Sequence, residues 1–216
     1  MTKLNKRILT SIILVTILYL SIQNLIFLII ILTLINFLVI NELYPIFKRI
    51  FKKNKFLNFL FLTFGIFYIN FFSLLIGLNY IAKEDNFKFP LIFLILICVA
   101  TDVGGYIFGN IIGGKKLTKI SPNKTYSGSI GSFIFSLLFG YIFFNIFGDK
   151  LTFKINTIIL ILLVSLVSQI GDLIISFLKR KASIKDSGSI LPGHGGILDR
   201  IDGIIIALPI GIILSL

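Results

Sequence analysis

Charge is what this sequence has least of. Only 14% of its 216 residues are Asp, Glu, Lys or Arg, while 56% are hydrophobic. A soluble domain carries about 25% charged and about 45–50% apolar residues, so this chain lacks the polar surface needed to cover a soluble globule. It is equally too apolar for a disordered segment or a coiled coil. A single cysteine excludes a disulfide framework. Cys98 sits in an apolar run, where a thiol acts as a small inert hydrophobe. What remains is a polytopic, all-α membrane protein of about one domain's length.

Acidic residues are scarcer than basic ones, 9 against 21, for a formal charge of +12. In a soluble chain that excess points to nucleic acid; here the placement of the cations decides their meaning. Apolar stretches long enough to span a bilayer, or nearly so, run over 8–20 and 21–47 as a hairpin, then 56–82, 90–112, 127–147, 155–178 and 201–216. Gly65 or Gly77 marks a possible re-entrant kink in the third. The expectation is a transmembrane helical bundle of about seven spans, within a range of about seven to nine. The basic head (Lys3, Lys6, Arg7) followed by an apolar run imitates a signal peptide, but no small-residue cleavage site follows, so the segment is expected to stay.

Counted alternately, one set of loops holds 17 of the 21 basic residues: Lys3, Lys6 and Arg7; the 48–55 cluster; Lys115, Lys116, Lys119 and Lys124; and Lys179, Arg180, Lys181, Lys185 and Arg200. The other set holds Lys83, Lys88, Lys150 and Lys154. The positive-inside rule puts the first set and the N-terminus in the cytoplasm. Most of the positive charge is thereby topology and attraction to anionic lipid, with no nucleic-acid partner implied. The chain divides into N-terminal helices, residues 1–89, and a region 90–216 that carries the polar motifs, with cytoplasmic loops 113–126 and 179–200.

The polar residues inside the spans carry the chemistry. A carboxylate at the bilayer centre costs about 2.5–3.5 kcal/mol on insertion scales, so Asp102 and Asp172 are expected to face a polar cavity. Glu42 lies nearer a span end, where snorkelling and pairing are equally open. Gly104, Gly105 and Gly109 follow Asp102; they permit close helix packing or a broken helix that opens to the cytoplasm. The loop after them combines lysines with Ser121, Lys124 and Thr125, groups that hold phosphate oxygens.

The richest segment runs from Gln169 to Gly203. Asp172 and Ser176 are four apart and Asp199 and Asp202 three apart, spacings that share a helical face. Carboxylates converging without cysteine describe a hard-cation site for Mg²⁺. Lys179, Arg180, Lys185 and Arg200 supply charge for phosphates on the same metal, and Gly193, His194, Gly195 and Gly196 lead into a helix N-terminus that favours an anion. Together these groups specify phosphoryl or nucleotidyl transfer.

The pattern Ser176-x-Leu178-Lys179-Arg180-x4-Lys185-Asp186-x-Gly188-x2-Leu191-Pro192-x-His194-Gly195-Gly196-Ile197-x-Asp199-Arg200-Ile201-Asp202 resembles the signature of the phosphatidate cytidylyltransferase (CDP-diacylglycerol synthase) family. The stretch from Asp102 to Gly114 and the Ser121-Pro122-x-Lys124-Thr125 loop resemble it as well, so the likeness covers the C-terminal half in detail. Ser127 and Ile175 stand where the family usually carries Glu. The resemblance implies that CTP and phosphatidate give CDP-diacylglycerol and pyrophosphate, with Mg²⁺ required and a second cation admitted. It places the enzyme in a bacterial inner membrane with its site facing the cytoplasm; a homodimer is compatible with it. Asp172 and Asp199 are the expected metal ligands, with Asp102 and Asp202 in support or at a second cation. Lys124, Lys179, Arg180, Lys185 and Arg200 are assigned to phosphates, as are His194 and its glycines; Asp186 and Ser176 belong to the same signature. Two other readings stand beside this one. Another CTP-dependent lipid enzyme, a CDP-ether-lipid synthase or polyprenol kinase, would use the same groups. A cation-coupled transporter would use Asp102 and Asp172 as coupling sites.

Overall fold

The computed structural model describes residues 3–83, 85–151, 153–191 and 195–215, and among them no strand forms. The helices are α1 (Lys3–Gln23), α2 (Leu25–Ile50), α3 (Lys55–Lys83), α4 (Asp85–Ile111), α5 (Tyr126–Phe147), α6 (Thr157–Lys181), α7 (Leu198–Ile201) and α8 (Ile204–Ser215). Helices satisfy every backbone N–H and C=O internally, as lipid demands. Their starts are set by side chains that cap free amides. Asn24 accepts from Ile26 and Phe27 at the head of α2, Asn54 from Leu57 at α3, Thr125 from Gly128 at α5, and Asn156 from Ile158 at α6.

Helices α2 to α6 are each long and apolar enough to cross a bilayer, so the chain is a multi-pass helical membrane protein. Against the expectation of about seven spans, two elements fall short. The apolar part of α1 is the shorter Leu9–Gln23, and α8 has 12 residues, a length of about 18 Å against a core of about 30 Å. The sequence expected one span over 201–216, but Asp202 and Gly203 form a turn between α7 and α8. Two expected irregularities are absent: α3 runs unbroken through Gly65 and Gly77, and α4 through Gly104, Gly105 and Gly109.

The residues sort into two compact units, one of Met1–Ala82 with Leu178–Ile201 and one of Lys83–Phe177 with Asp202–Leu216.

In the first unit α1 packs on α2, and buried Tyr80 of α3 donates its hydroxyl to the Ile22 carbonyl at 2.9 Å. Ser73 of α3 donates to Asn36 of α2 at 2.7 Å, a polar contact of the kind that joins helices in lipid. Phe47, Phe51 and Phe61 form an aromatic cluster where α2 meets α3.

The second unit is built on α4 against α5. An added Cβ at Gly104 would meet the Gly131 carbonyl oxygen at 2.5 Å, and one at Gly128 the Gly105 oxygen at 2.8 Å. The glycines of α4 therefore serve close helix packing, and the broken-helix alternative is not realised. Gly211 of α8 likewise faces Leu94 of α4. Phe93, Leu94, Ile97, Leu160, Ile161, Leu208 and Ile212 fill the core.

Candidate functional site

Two groups of polar side chains emerge, one in each unit. In the second unit a cavity of about 300 Å³ opens beside α4, α5 and α6, near the lower end for small-molecule pockets. Asp102, Ser121, Lys124, Thr125 and Asp172, all singled out by the sequence, line it. Thr101, Tyr106, Asn123, Ser129 and Gln169 join them.

The 113–126 loop reaches this cavity because of its own turns. Gly113 and Gly114 adopt φ of 63° and 99°, left-handed values that glycine takes without strain, and they turn the chain out of α4. Leu117 then donates its amide to the Lys124 carbonyl at 2.8 Å, and Lys124 to Ser121 at 3.0 Å, which closes the loop tip. Thr125 caps α5, and its hydroxyl also meets that of Ser127 at 2.9 Å. Ser127 in turn donates to the Gly113 carbonyl. This hydroxyl ties the two ends of the loop together.

The closed loop presents Lys124, whose ammonium forms an ion pair with Asp172 of α6. Ser176, one turn on, donates to Asp172 at 3.2 Å, as the four-residue spacing requires. Asp202 lies within hydrogen-bonding reach of Asp172, and Asp102 is close enough for its charge to act on Asp202. Gly171 makes this approach possible: a Cβ there would sit 2.9 Å from the Asp202 carbonyl oxygen. Gly171→Ala is therefore expected to push the Asp202–Gly203 turn off α6 and to destabilise the fold by about 1–3 kcal/mol, as overpacking does. Thermal unfolding in detergent checks this; an unchanged midpoint would contradict it. Gln169 accepts from Ser129 at 2.6 Å, and its buried amide nitrogen has no partner among the described residues.

In the first unit the loop after α6 is organised around Asp199. Its Oδ1 accepts from the Lys179 ammonium at 2.7 Å. Its Oδ2 accepts from the amides of Ser187 at 2.8 Å and Gly196 at 3.0 Å. Burial alone would push this carboxyl up, but the Lys179 hydrogen bond and the two amides hold it below the ordinary carboxylate range. Gly195 adopts φ of 84°, and a Cβ there would stand 3.0 Å from Asp199 Oδ2. Glycine at this position lets the chain fold over the carboxylate.

Asp199 and Asp202 do not share a helical face as their spacing suggested. Helix α7 ends at Ile201, and Asp202 falls in the turn that follows. Arg180, Lys185, Asp186 and Arg200 are exposed. Gly193 and His194 lie outside the described residues. Glu42, whose role the sequence left open, is 3% exposed and hydrogen-bonded to the same loop.

Among the described residues no three His, Cys, Asp or Glu side chains form a metal cage by themselves. The paired carboxyls of Asp172 and Asp202 still suit Mg²⁺. That ion is commonly held by one or two carboxylates with substrate phosphates completing its shell, and two carboxyls in hydrogen-bonding reach need a proton or a cation between them.

A family model described as "Cytidylyltransferase family" matches residues 3–216. The phosphatidate cytidylyltransferase of Brucella suis biovar 1 (strain 1330) is 40% identical over 145 residues, 66% of this chain and 52% of that protein. That of Staphylococcus haemolyticus (strain JCSC1435) is 41% identical over 132 residues, covering 61% of this chain and 50% of the relative. That of Staphylococcus saprophyticus subsp. saprophyticus is 44% identical over 121 residues, covering 56% and 46%. The chain thus spans about half the length of the curated relatives it matches. With its match extending from the first described residues to the end, the chain belongs to the cytidylyltransferase family.

Proposed function

We propose that this chain transfers the cytidylyl group of CTP to phosphatidate, giving CDP-diacylglycerol and pyrophosphate. One observation carries the reading most directly: Lys124 of the basic loop meets Asp172 of the signature helix at the wall of a cavity that also receives Asp102. Loop and helix are remote in sequence, and their meeting puts an ammonium suited to phosphate beside carboxylate oxygens suited to a divalent cation.

The reaction needs a nucleophile, charge neutralisation and a leaving group. The nucleophile is a phosphate monoester oxygen, whose second pKa is near 6, so it is largely ionised at neutral pH and no general base is required. It attacks the α-phosphorus of CTP; a new P–O bond forms and the bond to the β-phosphate breaks, releasing pyrophosphate. Lys124 and Ser121 offer donors to phosphate oxygens at the cavity, whereas the one proton of the expected partner Thr125 goes to Ser127. Lys179, Arg180, Lys185 and Arg200 are assigned to the nucleotide phosphates, together with Gly193, His194, Gly195 and Gly196. Asp172 and Asp202 would hold Mg²⁺, with Asp102 in support; Asp199, expected from the sequence as a ligand, already answers Lys179 and two amides and is assigned instead to ordering the loop. When bound, the cation supplies positive charge at the α-phosphate and the departing pyrophosphate. Activity stripped by EDTA is expected to return with Mg²⁺ or Mn²⁺; return with Zn²⁺ alone would contradict an all-oxygen ligand set.

The excess of lysine and arginine in the 48–55, 115–124 and 179–200 segments supports a site on the cytoplasmic face, where CTP is found. Ser189→Cys in a Cys98→Ser background is expected to react with impermeant maleimide only after the membrane is opened. Labelling in intact cells would put the loop on the wrong side. The activity itself is tested by pyrophosphate release from CTP by the purified chain, which should require phosphatidate.

A further inference from the structure

Glu42 is the one acidic residue of α2 and is almost wholly buried. A carboxylate near the end of a membrane helix ordinarily reaches for water or for a cation. Among the described residues the donors that meet this one are instead all neutral, and they come from the loop after α6 and the first residue of α7. Ser187 donates its hydroxyl to Oε2 at 2.6 Å, Leu198 its amide to Oε2 at 2.9 Å, and Ile197 its amide to Oε1 at 2.9 Å.

The loop is shaped to this carboxylate. An added Cβ at Gly188 would stand 2.8 Å from Oε1, and one at Gly196 would stand 2.5 Å from Oε2. Ser187 joins two anchors, since its hydroxyl goes to Glu42 while its amide goes to Asp199. Asp199 in turn holds Lys179. A connected network therefore runs from Glu42 through Ser187 and Asp199 to a lysine assigned to phosphate.

Resting on the cytidylyltransferase reading above, we propose that Glu42 is a positioning residue for the nucleotide. It fixes the backbone at Ser187, Ile197 and Leu198 so that Lys179 and Arg200 meet the triphosphate in register. It touches no substrate itself. Its effect should fall on CTP and spare the lipid substrate.

The test compares Glu42→Ala and Glu42→Gln with the wild-type chain in detergent, by hydrogen exchange and by steady-state kinetics. Amide exchange in the peptide holding Ile197 and Leu198 reads the anchor without reference to activity. In Glu42→Ala it should quicken at least about tenfold, with Glu42→Gln in between because the amide keeps one acceptor oxygen. The KM for CTP should rise about tenfold and kcat fall by a similar factor, while the KM for phosphatidate stays within about twofold. A merely structural role would lower the active fraction and leave both KM values unmoved. Unchanged exchange in both variants, or an unmoved KM for CTP, overturns the proposal. Should Glu42→Ala not fold, Glu42→Gln carries the same comparisons with smaller shifts. If wild-type protein transfers nothing from CTP, the activity reading fails, and exchange alone then decides whether Glu42 holds the loop.

Discussion

Asp172→Asn is expected to reduce turnover by more than about a hundredfold while the protein still inserts and folds. The carboxylate loses its charge but keeps its volume, and an amide is cheaper in lipid than an ion, so expression should hold. What disappears is the partner of Lys124 and an oxygen able to bind a divalent cation tightly. Charge stabilisation by a metal amounts to several kcal/mol, and about 1.4 kcal/mol is a factor of ten in rate. Asp186→Asn, in an exposed part of the loop, should lose less. If the Asp172 variant kept more than about a tenth of wild-type kcat at saturating Mg²⁺, its assignment to the cation would be wrong.

Asp199→Asn is expected to cost nearly as much by another route. Its carboxylate answers one ammonium and two amides, and Asn has a single acceptor oxygen to offer them. Each buried donor left without a partner costs about 1–3 kcal/mol, so the loop should loosen and activity should fall by at least about tenfold. The pH dependence separates this role from metal binding. Because the folded carboxyl sits below its ordinary range, its contribution is fully present above the unfolded value and is lost as pH falls through the folded one. The wild-type loop should therefore lose exchange protection, measured against the intrinsic rate at each pH, on acidification through that window, whereas the Asn variant should show no such step. An identical acid limb in both proteins would contradict the anchoring role.

Much of this was legible in the sequence because lipid leaves few options. Apolar runs had to become helices, although the caps supplied by Asn24 and Thr125 went unread. The α-helical period placed Ser176 against Asp172. What could not be read was the pairing of remote segments. Glu42 and its donors are separated by 145 to 156 residues, and a lone acid near a helix end looks the same whether it snorkels or binds a loop. The glycines of α4 admitted two readings because Gly permits both a break and a close approach; only the facing Gly128 and Gly131 decide for packing. Spacing misled at Asp199 and Asp202, since Gly203 follows and the helix stops before the pattern can act. The second carboxylate beside Asp172 is accordingly the one in the turn.

The central claim concerns which phosphorus of CTP is attacked, and position-specific labelling addresses it without assumptions about any residue. Purified chain is incubated with phosphatidate, Mg²⁺ and CTP radiolabelled at either the α- or the γ-phosphate, and the products are partitioned between chloroform and water. Cytidylyl transfer predicts that α-label enters the chloroform phase in proportion to phosphatidate, while γ-label stays in water as pyrophosphate. Label from the γ position in lipid would indicate a kinase, and no label in lipid from either position, with wild-type protein folded, would contradict the account.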